Sequence, residues 1–188
     1  MWGGTGAGVG GTIVPIASRA RIRVLAVAAL LVAGLPAAAV ASNAITPTAI
    51  GGARLGASAE TYAALLGKPF VTAYADGSTR LVVGRGEIQV YLGAKTKRGV
   101  AVIVSSPGFK LANGIHPCSP IAALTRAYGR RLVAIRLPAH SQPVAYRLGS
   151  LLFTVSPARD VGAVALLAPG ASLSLVTGSG VCGQGEEG

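Results

Sequence analysis

The chain has 188 residues, with 17 Lys and Arg against 6 Asp and Glu, a net charge of +11, and 51% hydrophobic but only 5% aromatic residues. That length suits one domain or two small halves sharing a core, and the low charged fraction excludes an intrinsically disordered chain. Two Cys and two His are too few for a conventional structural zinc site, and six carboxylates are a thin supply for acid–base chemistry.

In chain order, Gly6–Gly11 formally matches a dinucleotide-binding glycine pattern, but no strand precedes it and no βαβ unit surrounds it. It reads as low-complexity leader. Arg19, Arg21 and Arg23 then precede an uncharged apolar run from Val24 to Ala41 that ends in Ala39-Val40-Ala41. A basic start, an apolar middle and a small-x-small end describe a secretory signal peptide, so residues 1–41 are expected to be leader and signal. The competing reading is a retained membrane anchor, since about 18 apolar residues suffice to cross a bilayer. Cleavage after Ala41 removes three arginines, so the basic count falls from 17 to 14 against 6 acids and the net charge from +11 to +8. The expected destination is secreted or extracytoplasmic, with no stable membrane insertion after cleavage. No Cys near the junction supplies a lipid attachment point.

Residues 42–49 read as a linker, followed by a folded region over 50–177. Gly56 to Gly67 reads as a short helix, with Ser58 as N-cap, Gly67 as terminator and Tyr62, Leu65 and Leu66 on one stripe. Strands are expected near 70–75, 79–84, 87–93 and 99–105, with turns at Asp76-Gly77 and Gly84-Arg85-Gly86. Cys118 to Gly129 reads as a second helix, with Ser119 as N-cap, Pro120 in its first position and Leu124, Ala127 and Tyr128 inward. Strands follow near 131–137, 143–148, 150–156 and 161–167, with a turn at Gly149-Ser150 and a last strand near 171–177. Residues 178–188 read as a flexible tail.

The two halves, 50–110 and 114–177, correspond at a spacing of 62. Ala101-Val102 repeats as Ala163-Val164, and Pro107-Gly108 as Pro169-Gly170. A local shift of one aligns Ile88, Val90 and Leu92 with Leu151, Phe153 and Val155, which keeps one alternating apolar face in each. The expectation is an α+β fold of two tandem repeats, each a short helix packed on an antiparallel meander sheet. The sheet face away from the helices is expected to be open.

Ile50-Gly51-Gly52-Ala53-Arg54-Leu55-Gly56-Ala57-Ser58, followed by Leu65-Leu66-Gly67-Lys68-Pro69, resembles the opening of the small bacterial envelope domains of the BamE/SmpA type and of the tandem β-lactamase-inhibitor proteins. The resemblance implies a non-enzymatic binding scaffold outside the cytoplasm. It does not carry over an inhibitor's contact residues, because that family's aromatic-rich concave sheet has no counterpart among five Tyr, three Phe and one Trp.

Cys118 and Cys182, the only cysteines, are expected to form a disulfide in an oxidising compartment. His116 and His140 lie in loops without an evident acid, and Ser141 beside His140 is not in a nucleophile elbow. No catalytic residue, metal or cofactor is therefore assigned; a secreted hydrolase using loop His or Ser residues is the alternative. Candidate binding residues are Tyr91 and Gln89, which alternate with the inward set, and Arg80 on the neighbouring strand. The basic loop Lys95, Lys97 and Arg98 joins them, and Arg126, Arg130 and Arg131 form a further basic cluster at a helix end. The expected partner is another protein or an anionic envelope polymer. Nucleic acid is excluded for an exported chain without an aromatic-and-basic cluster.

Overall fold

A computed structural model describes residues 42–84, 87–138, 141–176 and 182. The leader and signal over 1–41, the Arg85-Gly86 turn, His140 and all of the 178–188 tail except Cys182 lie outside the described residues. Among the described residues the fold is α+β, with two helices and an antiparallel sheet. A hairpin of β1 (Ile45–Thr46) and β2 (Ala49–Ile50) occupies the stretch expected to be linker. Helix α1 (Ala59–Leu66) precedes β3 (Phe70–Ala73), β4 (Thr79–Val83), β5 (Ile88–Leu92) and β6 (Gly99–Val104). Helix α2 (Ile121–Tyr128) precedes β7 (Val133–Ile135), β8 (Ala145–Leu148), β9 (Leu151–Val155) and β10 (Val161–Leu167). The eight strands β3 to β10 form one sheet in the order β3-β4-β5-β6-β10-β9-β8-β7, so β6 and β10 meet at its centre and β3 and β7 are its edges.

Local chemistry explains the boundaries. Ser58 Oγ accepts from the Thr61 amide, capping α1, and Gly67 at φ 94° ends it with its N–H on Ala63 O. For α2 the expected cap is corrected. Pro120 occupies the N-cap position with no side-chain cap, because Ser119 Oγ instead accepts from the His116 amide and closes the preceding loop. The expected last strand is also corrected: residues 173–175 form a 3-10 turn, with Ser172 Oγ accepting from the Ser174 amide.

The helix-side core contains Tyr62, Leu81, Ile88, Val90, Leu92, Val102, Leu124, Leu151, Phe153 and Val164, with Leu65, Leu66, Tyr128 and Val155 partly buried at its margin. Ile45, Ile50, Phe109, Leu111 and Ile115 join it, so the β1–β2 hairpin and the connection between the halves are core elements. Helix α1 docks closely because β6 begins with a glycine. A Cβ at Gly99 would overlap the Tyr62 phenol, lying 2.8 Å from Cζ.

The second face of the sheet is not open, contrary to the sequence expectation. Ala101, Ile103, Leu152, Ala163, Ala165 and Leu167 are buried there with Val176, and Ala171, Leu173 and Leu175 pack against them. The physical reason is the composition of the central strands. Val-Ala-Val-Ile-Val and Val-Gly-Ala-Val-Ala-Leu-Leu present apolar side chains to both faces, and both faces must leave water.

Cys118 and Cys182 are joined by a disulfide with Cα atoms 5.2 Å apart, and neither cysteine is free. The bridge holds Cys182 beside the start of α2. Such a bond points to an oxidising, extracytoplasmic compartment. Among the described residues, no helix is long and apolar enough to cross a membrane.

Candidate binding surface

Antiparallel register decides which candidate residues meet. Arg80 lies directly opposite Tyr91, and Val82 opposite Gln89, so these four share the second face. One row across the sheet runs Thr72, Arg80, Tyr91, Ala101 and Leu167, passing from the β3 edge into the buried centre. Tyr91 is half-buried and packs against the second-face cluster, so it is part of a wall and not a free-standing side chain. The Arg80 Nε is buried and, among the described residues, has no hydrogen-bond partner.

Tyr91 lines two hollows. One, of about 290 Å³, is bounded by Asp76, Ser78, Tyr91, Gly93, Val100 and the 168–172 segment. The other, of about 360 Å³, is bounded by Tyr74, Asp76, Ser78, Tyr91, Ser174 and Leu175. Sequence reasoning missed Tyr74, Asp76, Ser78 and Leu175 as lining residues. The even spacing of Thr72 and Tyr74 was a signal for the first, because period-two alternation extends the Arg80 row to the β3–β4 turn.

That turn is built on Asp76. Its Oδ1 accepts from the Ser78 amide at 2.8 Å and from the Ser78 hydroxyl at 2.6 Å, while Gly77 takes the φ of 81° that the turn requires. The Ser78 hydroxyl, then the Ser78 amide, hold the Asp76 carboxyl below the usual carboxylate range, and Lys97 adds a smaller pull. Lys97 Nζ donates to Gly77 O at 2.7 Å, tying the basic loop to the same turn. Lys95, Lys97 and Arg98 are exposed on this loop, whose own geometry is set by the Lys97 amide donating to Gly93 O. The structure thus brings the basic loop, the Asp76 turn and the Tyr91 wall to one end of the first half.

The remaining candidates lie elsewhere. His116 Nδ1 donates to the carbonyl of adjacent Pro117 at 2.5 Å. Ser141 is exposed, and its neighbour His140 lies outside the described residues. The Arg131 guanidinium stands 6.0 Å from the Tyr128 ring centroid, and Arg126 and Arg130 are exposed near it. Beside the start of α2 there is a larger hollow of about 460 Å³, bounded by Ile121, Gln142, Tyr146, Val155 and Arg159 among others, and it includes none of the candidate residues. No cluster of three or more His, Cys, Asp or Glu suited to a metal ion occurs among the described residues. No protein-family model matches the chain, and neither a curated protein nor a solved structure is found similar to it.

Proposed function

We propose that this protein is an extracytoplasmic, non-enzymatic binding module, built from two copies of a helix-plus-meander unit, that engages another protein or an anionic envelope polymer through the wall around Tyr91. The duplication is supported by bonds that recur 62 residues apart. Gly56 N donates to Gly99 O, and Cys118 N to Val161 O; Gly99 N donates to Ala57 O, and Val161 N to Ser119 O. Isolated bridges Ser58–Arg98 and Pro120–Asp160 match in the same way. Ile103 pairs directly with Ala165, as a two-fold axis between related halves requires. The packing compensates as well: Tyr62 on Gly99 in the first half corresponds to the smaller Leu124 with the larger Val161 in the second. The resemblance of residues 50–69 to the opening of the BamE/SmpA and tandem β-lactamase-inhibitor families is a further ground for this proposal.

The observation that carries the binding reading is the Arg80–Tyr91 pair. Arg80 is half-buried directly opposite Tyr91, and a guanidinium is the charged donor that suits a carboxylate or phosphate oxygen. Tyr91 and Tyr74 offer ring area beside it, and Lys95, Lys97 and Arg98 offer charge that favours an anionic partner.

The test is capture from an envelope extract by the immobilised purified protein. Tyr91→Ala should weaken capture at least tenfold, while Tyr91→Phe, which keeps the ring packing, should retain most of it. Unchanged capture by Tyr91→Ala would remove this wall as the binding surface.

A further inference from the structure

We infer that the β3 edge of the sheet is a self-association site, where a second copy of this chain adds its own β3 in antiparallel register. The inference does not depend on the partner-binding reading.

Edge strands expose backbone donors and acceptors, and proteins normally guard them with charge, proline or a covering element. The two edges here differ. Strand β7 is flanked closely by Arg131 and Arg136, and no acid lies between 130 and 137, so a second β7 would meet like charge. Strand β3, Phe-Val-Thr-Ala, carries no charge, and Phe70 and Val71 are 72% and 55% exposed on its opposite faces. Tyr74 N donates to Ser78 O, which sets the alternation of the β3–β4 ladder. The N–H and C=O groups of Val71 and Ala73 therefore point away from β4.

A second copy satisfies them in one register in particular. Placing Thr72 opposite Thr72 of the other copy makes Val71 and Ala73 reciprocal hydrogen-bonded pairs. The same register sets exposed Phe70 opposite exposed Tyr74 and brings Lys68 toward Asp76, twice over by symmetry. Sliding by one pair in either direction loses these matches; one slide sets Ala73 against Pro69, which has no N–H, and the other sets Phe70 against Asp76. A four-residue edge falls short of the area a permanent dimer buries, so the association belongs to the weak, transient class.

The test is sedimentation of the purified protein from about 10 µM to about 1 mM, at about 0.15 M salt where charges beyond about 8 Å are screened. A monomer–dimer equilibrium is expected. Val71→Lys, at an exposed position that leaves the fold intact by circular dichroism, should weaken it at least tenfold. Lys68→Asp should weaken it too. Both native cysteines are bonded to each other, so Thr72→Cys supplies a single reporter thiol at a closely spaced pair. Air oxidation should crosslink Thr72→Cys into a dimer and leave Phe70→Cys monomeric. A monomer at every concentration would overturn the inference, as would a dimer indifferent to Val71→Lys or crosslinking by Phe70→Cys but not Thr72→Cys.

Discussion

The contact between Tyr62 and Gly99 shows how much one small residue decides. Tyr62 is 1% exposed, and its hydroxyl donates to Arg54 O. The phenol occupies the space a side chain at 99 would need. Gly99→Ala should therefore destabilise the fold by about 1–3 kcal/mol through overpacking, read as a lower urea midpoint; a neutral result would place the ring elsewhere. Burial raises the Tyr62 pKa, and the Ala57 amide, which favours the phenolate, only partly opposes it. A raised folded pKa means the contribution is complete below the unfolded value of about 10 and is lost as pH rises through the folded one. Alkaline unfolding of the native protein should thus begin at lower pH than that of Tyr62→Phe, whose ring cannot ionise. Coincident alkaline transitions would contradict the assignment.

At the scale of elements, the helices and hairpins were legible because each has a local cause. Ser58, Gly67, Gly77 and Gly129 mark ends and turns through their own side chains or their positive φ. The alternation Ile88, Val90, Leu92 likewise put Gln89 and Tyr91 on the opposite face from the core. The second-face cover was not legible, because Ala168–Val176 has little strand or helix pattern and is held by tertiary burial of Val176. A cue was nevertheless present. Strands β6 and β10 are apolar at nearly every position, which demands cover on both faces. The disulfide joins cysteines 64 residues apart, the second of them six residues beyond Val176. Replacing Cys118 and Cys182 by Ala should cost about 4 kcal/mol on a loop-entropy basis and should speed amide exchange first in 168–176. Unaltered exchange in that segment would show that the bridge does not hold it.

For the whole molecule, the pairing of β6 with β10 makes one continuous sheet, so the two ends differ only in what the loops and edges carry. The first-half end gathers Tyr74, Asp76, Tyr91 and the basic loop, whereas the second-half end presents the Arg126–Arg131 cluster. Sequence reasoning paired Arg80 with Tyr91 by parity alone. It could not foresee the hollows beside them, because these depend on where Leu175 returns across the face. Binding at the Tyr91 wall is the central claim, and hydrogen–deuterium exchange of the protein alone and with its captured partner tests it most directly. The predicted result is protection concentrated in residues 74–80, 89–98 and 171–176. Protection confined to 126–136, with the Tyr91 region unchanged, would contradict it.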